Sequence, residues 1–221
     1  MASGTLHVVS TPIGNLEDIT IRALRVLKEV SLIAAEDTRR TGILLSTYDI
    51  STRLTSFNAP NSKRKTPGLV DKLKQGVDTA LVSDSGTPGI SDPGSVLIAA
   101  CIEEGIPVSV VPGPTAVIGA LVVSGKPSNK FVFEGFLSNK KARRKKQLVE
   151  LAEERRTVVV YESPHRIEGF LSDLLEAAGD REIVVVRELT KKFEEIKRGP
   201  VSVILGEFEK RKPRGEFTIV M

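Results

Sequence analysis

Apolar residues fall in two rhythms along this chain. In one, short stretches rich in apolar residues stand at residues 5–9, 32–35, 79–82 and 108–111, with a sparser one at 54–57. Runs this short, apolar on both faces, predict parallel strands buried between helix layers. In the other rhythm apolar residues recur every three or four positions, as along one face of a helix. Thr20 starts such a helix, with Ile21, Leu24, Leu27 and Val30 on one face. Further helices are predicted over residues 67–75 and 93–104, with Gly105 a natural C-cap for the second. Strand and helix alternating through residue 111 predict a parallel α/β domain with right-handed crossovers.

Pro112-Gly113-Pro114-Thr115-Ala116 then forms a stiff turn that opens an apolar helix ending near Ser124-Gly125, and residues 125–129 break the pattern. A second α/β unit follows, with strands at residues 131–134, 157–161, 183–186 and 217–220 and helices over 142–154, 165–177 and 201–211. The expected division is an N-terminal α/β domain over residues 1–113 and a C-terminal α/β domain over 114–221, with a linker helix and loop at about 114–130.

Composition narrows the function classes. Hydrophobic residues make up 40% and charged residues 27% of the 221, the balance of a soluble globular protein. No apolar run approaches the roughly 20 residues that span a bilayer, and residues 1–10 lack a basic stretch followed by an apolar one, so a cytoplasmic protein without a membrane partner is expected. Cys101 is the single cysteine, which excludes an internal disulfide and a Cys-rich zinc site; its apolar neighbours predict a buried, inert thiol. His7 and His165 are too few for a His-built site, and no metal is expected. The formal charge of +4 is only mildly basic and by itself identifies no nucleic-acid partner.

The chemistry concentrates where strands give way to helices. After the strand at 79–82 comes Ser-Asp-Ser-Gly-Thr-Pro-Gly-Ile-Ser-Asp-Pro-Gly, residues 83–94. Gly86, Gly89 and Gly94 let this backbone take positive φ or lie flat against a ligand, Pro88 and Pro93 stiffen it, and Asp92 can cap the helix that follows. In open α/β sheets ligands bind at the carboxyl ends of the strands. A second small-residue loop, Ser10-Thr11-Pro12-Ile13-Gly14-Asn15, and a charged one, Glu36-Asp37-Thr38-Arg39-Arg40, belong to the same edge. In the charged loop Asp37 or Thr38 either caps a helix beside solvated arginines or faces the ligand. Residues 58–65 read as a polar, basic, mobile segment. Lys140-Lys141-Ala142-Arg143-Arg144-Lys145-Lys146 puts six cations in seven residues, either a solvated helix face or a contact for phosphates. Neither a P-loop nor the Gly-x-Gly-x-x-Gly fingerprint is present. A cradle built mainly of backbone, without clustered lysines, suits an uncharged or cationic nucleoside better than a polyphosphate, and S-adenosylmethionine meets that description.

Residues 11–20, Ala35-Glu36-Asp37-Thr38-Arg39, residues 83–94, Pro112-Gly113-Pro114, Glu134-Gly135-Phe136, Tyr161-Glu162-Ser163-Pro164-His165-Arg166, Arg187-Glu188-Leu189-Thr190-Lys191 and Arg214-Gly215-Glu216-Phe217 together resemble the tetrapyrrole methylase superfamily. Within it the chain is similar to the bacterial methyltransferases of small-subunit ribosomal RNA. The resemblance implies a two-domain α/β fold with a mostly parallel N-terminal sheet and a mixed C-terminal sheet. It implies S-adenosylmethionine in the cleft between the domains, a homodimer, and 2′-O-methylation of a cytidine ribose in 16S ribosomal RNA. Pro12 matches the family's cofactor-contacting proline; Ser85, Gly86, Thr87 and Ile90 match its second contact segment. Pro112, Thr115 and Ala116 match a third, and the backbones at Phe136 and Glu162 a fourth. Where relatives read Ser-aromatic-His-Glu-x-Asn-Glu, this chain has Ser56-Phe57-Asn58-Ala59-Pro60-Asn61-Ser62, without the imidazole and both carboxylates.

Methyl transfer to a ribose needs a base for the hydroxyl proton. Glu36, Asp37, Glu162 and His165, with Glu188 beside them, are the candidates. Arg39, Arg40, Lys140, Lys141, Arg143, Arg144, Lys145, Lys146 and Arg166 are candidates for RNA contact; Arg39, Arg166, Arg187 and Lys191 either bind phosphate or a developing alkoxide or pair with neighbouring carboxylates, and for Arg166 and Arg187 the two readings stand level. Two other readings stand beside this one: a methylase of the same fold acting on a small tetrapyrrole-like substrate, and a non-catalytic RNA-binding protein that keeps the pocket.

Overall fold

Successive side chains of a strand face opposite sides of the sheet, so a strand apolar at every position needs a helix layer on each side. The computed structural model describes residues 2–210 and 213–221, and its contacts divide into two units, Met1–Thr115 and Ala116–Met221. The first unit runs β1 (Leu6–Val9), a 3-10 turn (Leu16–Asp18), α1 (Ile21–Glu29), β2 (Leu32–Ala35), α2 (Thr38–Thr47), β3 (Leu54–Ser56), α3 (Ser62–Lys74), β4 (Thr79–Val82), α4 (Gly94–Glu103) and β5 (Val108–Val111). Its five strands are all parallel, in the order β3-β2-β4-β1-β5. Val9, Ile33, Ala35, Ala80 and Val82 pack against α1 and α2. Leu6, Leu32, Ala34 and Leu81 face the other way, onto α3 and α4. The expectation of a parallel three-layer unit is met, with β1, β2 and β4 buried, whereas the edge strands β3 and β5 are half-buried and partly exposed.

Local details depart from the sequence reading. Ile21 is 87% exposed, and the buried stripe of α1 is Ala23, Val26, Leu27 and, just past its end, Val30. At 3.6 residues per turn, Ile21 and Val30 lie about 180° apart, so only the stripe of mixed three- and four-residue steps shares a face. On the edge strand β5, Val110 is 57% exposed while the adjacent Val111 is buried. α3 begins at Ser62, five residues before the expected Pro67, which it carries inside. The segment expected to be mobile is a closed turn: Asn58 N–H donates to Asn61 Oδ1 (2.9 Å), Asn61 N–H donates back to Asn58 Oδ1 (3.3 Å), and Lys65 Nζ donates to the Ser56 carbonyl (2.7 Å). Cys101 is buried as expected, and burial pushes its thiol up to about 11.

The second unit contains α5 (Ala116–Ser124), β6 (Phe131–Phe136), α6 (Lys141–Ala152), β7 (Thr157–Glu162), α7 (Ile167–Ala178), β8 (Glu182–Arg187), β9 (Glu195–Pro200), α8 (Val201–Lys210) and β10 (Phe217–Val220). Of the helix expected over 201–211, Arg211 lies outside the described residues. The sheet order is β6-β7-β10-β8-β9, with β6 and β7 parallel and every other pair antiparallel. α6, α7 and α8 cover one face around Phe170, Phe208 and Phe217. α5 covers the other through Val117, Ala120 and Leu121. β9 is absent from the sequence reading: Glu-Ile-Lys-Arg-Gly-Pro has no apolar alternation, and it holds as an edge strand through its ladder to β8 and the Arg187–Glu195 pair at 3.0 Å.

The basic run also needs correction. Arg144, expected to face RNA, is buried: its Nη2 and Nε donate to Asp173 of α7 at 2.6 and 2.8 Å. Lys145 pairs with Glu176 at 2.5 Å, and Lys141 lies 4.0 Å from Asp173. The acids that relieve this run come from the next helix rather than from within it. Lys140, Lys141, Arg143 and Lys146 stay exposed. Asp173→Ala therefore leaves a buried guanidinium without its partner, with an expected loss of about 3 kcal/mol in urea unfolding. The Arg144→Met, Asp173→Leu double variant should recover most of that loss, and a single variant as stable as the parent would refute the burial.

Candidate active site

Three loops leave the carboxyl ends of the neighbouring strands β4, β1 and β5, and backbone contacts tie them together. Thr11 N–H donates to the Gly86 carbonyl and Gly86 N–H to the Thr11 carbonyl, each at 3.0 Å, an isolated antiparallel bridge. Thr11 Oγ1 donates to the Ser83 carbonyl (3.1 Å), and the Ser10 and Thr87 hydroxyls share a hydrogen bond of 2.9 Å. Gly86 sits at φ +79°, and a β-carbon there would touch the Pro114 carbonyl at 3.7 Å. The third loop fits because Gly113 has no side chain: a β-carbon would stand 2.9 Å from Ser10 Cβ. Positive φ favours glycine at Gly86, and close approach demands it at Gly113.

The 83–94 loop closes onto its own helix. Asp92 Oδ1 accepts from Gly89 N–H and Gly94 N–H, both at 2.7 Å, so one carboxylate caps α4 and fastens the loop. Pro93 takes the N-cap position itself. Burial pushes the Asp92 carboxyl above its ordinary range, against those N–H donors.

Beside this, the carboxyl ends of β2 and β4 are cross-linked by acids. Glu36 Oε2 accepts from Asp84 N–H (3.2 Å), and Asp84 Oδ1 accepts from Asp37 N–H (2.9 Å). Arg40 lies 3.5 Å from Asp84. Asp37 caps α2 through Arg39 N–H (2.8 Å), while the Arg39 guanidinium grips both its oxygens at 3.2 and 2.7 Å. That grip holds the Asp37 carboxyl far below the usual range. Glu36 is raised instead, by burial first and then by the charges of Asp84 and Asp92. Asp84 was not singled out from sequence, since nothing in a linear reading joins it to residues near position 36.

Of the other predicted site residues in the first unit, Pro12, Thr87 and Thr115 are half-buried; Ser85, Ile90 and Pro112 are exposed, with Ile90 ending a turn onto the Thr87 carbonyl (3.3 Å). In the second unit Ala116 opens α5. Phe136 ends β6, exposed on one side and 5.5 Å from the Tyr161 ring. Glu162 ends β7 with its side chain fully buried, and burial raises its carboxyl. Its Oε1 accepts from Ser163 N–H (2.8 Å), and Arg166 Nη2 lies 3.2 Å from Oε2. Arg166 Nη2 also donates to the Leu137 (2.7 Å) and Ser138 (3.1 Å) carbonyls, which tie α7 to the loop before α6. His165 stands exposed in the turn between β7 and α7. Glu188 pairs with Lys191 at 2.8 Å, and Lys191 reaches Glu216 at 2.9 Å.

The model of the tetrapyrrole (corrin/porphyrin) methylase family matches residues 5–204. The ribosomal RNA small subunit methyltransferase I of Thermotoga maritima is 53% identical over 99% of this chain and 98% of its own length. That of Synechocystis is 49% identical over 99% of this chain and 78% of its own. A solved uroporphyrin-III C-methyltransferase of Thermus thermophilus, in complex with S-adenosylhomocysteine, superposes with a TM-score of 0.67 at 18% identity, covering 98% of this chain and 96% of that one. The small-residue loops, the capped α2 and α4 and the strand orders of both sheets therefore have a family to belong to: this chain is a member of the tetrapyrrole (corrin/porphyrin) methylases, in the group of the ribosomal RNA small subunit methyltransferases I.

Proposed function

We propose that this protein transfers the methyl group of S-adenosylmethionine to the 2′-hydroxyl of a cytidine in 16S ribosomal RNA, in the cytoplasm and as a homodimer. The observation that carries this reading is the uncharged cradle of Ser10, Thr11, Pro12, Ser85, Gly86 and Thr87, built mostly of backbone, in a chain half identical to ribosomal RNA small subunit methyltransferase I along its length. A polyphosphate finds no cation in those loops, whereas a nucleoside on a sulfonium needs none; Asp84, Asp92 and Glu36 stand nearby as acids. When bound, S-adenosylmethionine supplies an electrophilic methyl group on a sulfonium. Pro12, Ser85, Gly86, Thr87, Ile90, Pro112 and Thr115 of the first unit then hold and orient it. The protein's part is mainly alignment, which lowers the barrier by removing the entropy of encounter.

Proton removal falls to Glu36 in this reading. Asp37 is held too acidic by Arg39, and the Glu162 side chain has no exposed surface. Glu36 combines partial exposure with a raised carboxyl, the direction that improves a base working near neutrality. The loop at residues 58–62 has no ionisable side chain and so supplies no general base. Lys140, Lys141, Arg143 and Lys146 are the phosphate contacts, together with Arg39 and Arg40.

Thr115→Arg is expected to abolish S-adenosylmethionine binding in isothermal titration while the melting temperature stays within a few degrees of the parent, since the side chain fills the proposed cradle. Unchanged affinity would place the cofactor elsewhere. Glu36 is deprotonated as pH rises through its elevated value, so methylation of 30S subunits should rise over that range, above the ordinary carboxylate region. Glu36→Gln should lower the rate by about 100-fold or more and flatten that limb; a parent-like profile in the variant removes Glu36 from the role. Replacing Lys140, Lys141, Arg143 and Lys146 by Ser should reduce the slope of log affinity for RNA against log salt by about three to four. A slope that does not change makes the run a solvated face. Methyl incorporation into a porphyrinoid but not into 30S subunits would select the small-macrocycle reading instead.

A further inference from the structure

The connection between β8 and β9 is held in a costly shape. Glu188 and Thr190, neither of them glycine, sit at φ +50° and +66°. Such conformations persist only where the surroundings over-determine them, and they cluster at functional positions. The surroundings here do so. Glu188 N–H donates to the Glu216 carbonyl, and Glu188 Oε1 accepts from Glu216 N–H, both at 3.0 Å. Gly215 is required beside it, because a β-carbon there would collide with Glu188 Cδ at 2.5 Å. Thr190 N–H donates to Glu194 Oε2 (2.6 Å), and Glu194 N–H to the Lys191 carbonyl (3.1 Å). Leu189 fills the notch left by Gly119 on α5, where a β-carbon would stand 2.7 Å from its Cδ2.

The turn presents Lys192, Phe193 and Glu194 to solvent. Phe193 is 66% exposed, and the Lys192 ammonium lies 5.8 Å from its ring centroid. The turn packs Leu189 against α5 and leaves the Phe193 ring and the Lys192 ammonium outward together. β6, β7 and β8 point the same way, since β7 is parallel to β6 and β10 is antiparallel to both β7 and β8. The Phe193 turn therefore leaves the same sheet edge as the loop that begins α6 and its exposed lysines. β6 and β8 are three strand spacings apart, about 14 Å.

We infer that Phe193, with Lys192, is a base-stacking contact for single-stranded RNA, and that the exposed cations of α6 grip the backbone of the same segment. This rests on the ribosomal RNA reading above. Aromatic faces accept any base, and a neighbouring cation adds phosphate attraction, which is the recurrent chemistry of single-strand binding.

The test is fluorescence anisotropy with a labelled short oligocytidine and a second oligonucleotide of the same length whose central residues are abasic. Phe193→Ala should weaken oligocytidine binding by about 10-fold, Phe193→Trp should restore it, and the abasic oligonucleotide should not distinguish the parent from Phe193→Ala. Lys192→Ala should lower the salt slope by about one, and Phe193→Ala should leave it alone. Equal oligocytidine affinity of Phe193→Ala and parent overturns the inference, as does an equal loss on the abasic strand. Parallel titration with S-adenosylmethionine and methylation of 30S subunits keep the two readings apart. A parent that methylates 30S subunits, with Phe193→Ala showing the same KM, sinks the stacking contact alone. A parent that binds neither cofactor nor RNA sinks the function and this contact with it.

Discussion

Two reciprocal hydrogen bonds between Thr11 and Gly86 set the shape of the N-terminal unit's carboxyl edge. The chain after β1 departs toward β2, passing β4, and the chain after β4 departs toward β5, passing β1. Loops that leave in opposite directions from adjacent strands open a crevice, the general site of ligand binding in such sheets. Left free, both loops would fluctuate. The bridge fixes them to each other before any ligand arrives, and the bare Gly113 lets the third loop close against Ser10. Ordering entropy met during folding is not charged again on binding.

The same economy governs charge. At the edge of the first unit the acids satisfy backbone donors: Glu36 serves Asp84, Asp84 serves Asp37, and Asp92 serves Gly89 and Gly94. In the second unit Asp173 absorbs Arg144, and Glu162 lies against Arg166. Groups that titrate differently thus come from one residue type in different company: Asp37 is depressed by a guanidinium, and Glu36 is raised by burial and neighbouring carboxylates. A charge cluster is therefore not one chemical object. Arg144 and Lys146 stand two residues apart, one structural and one free to meet a partner.

How much of this was legible in the sequence follows from range. β2, β4, β5 and β10 were legible residue for residue because each is a short apolar run bounded by turn residues, and the helix starts at Thr20 and at Asp37 or Thr38 because capping is a property of three or four consecutive positions; the structure assigns the second cap to Asp37. The strand β9 escaped because Glu-Ile-Lys-Arg-Gly-Pro holds a single large apolar residue, so its reason lies in the ladder to β8 and not in its own composition. Ile21 was misplaced by a three-residue count that drifts around the helix. The candidate site was legible as loops but not as a network: Glu36 and Asp84 are 48 positions apart, and Arg144 and Asp173 are 29 apart. Nothing in Glu188 or Thr190 as residue types announces positive φ. Tertiary contact alone imposes it.

The position of β10 in its sheet has a consequence of another kind. Residues 217–220 form the middle strand, with β7 on one side and β8 on the other. A chain made from its N-terminus has already produced β6-β7 and β8-β9 as two separate ribbons when β10 has yet to appear, each with an inner edge of unpaired N–H and C=O groups. The N-terminal unit, whose strands all lie before residue 112, can close during synthesis. The C-terminal unit waits for its keystone, and in that interval its exposed edges are where intermolecular pairing would begin.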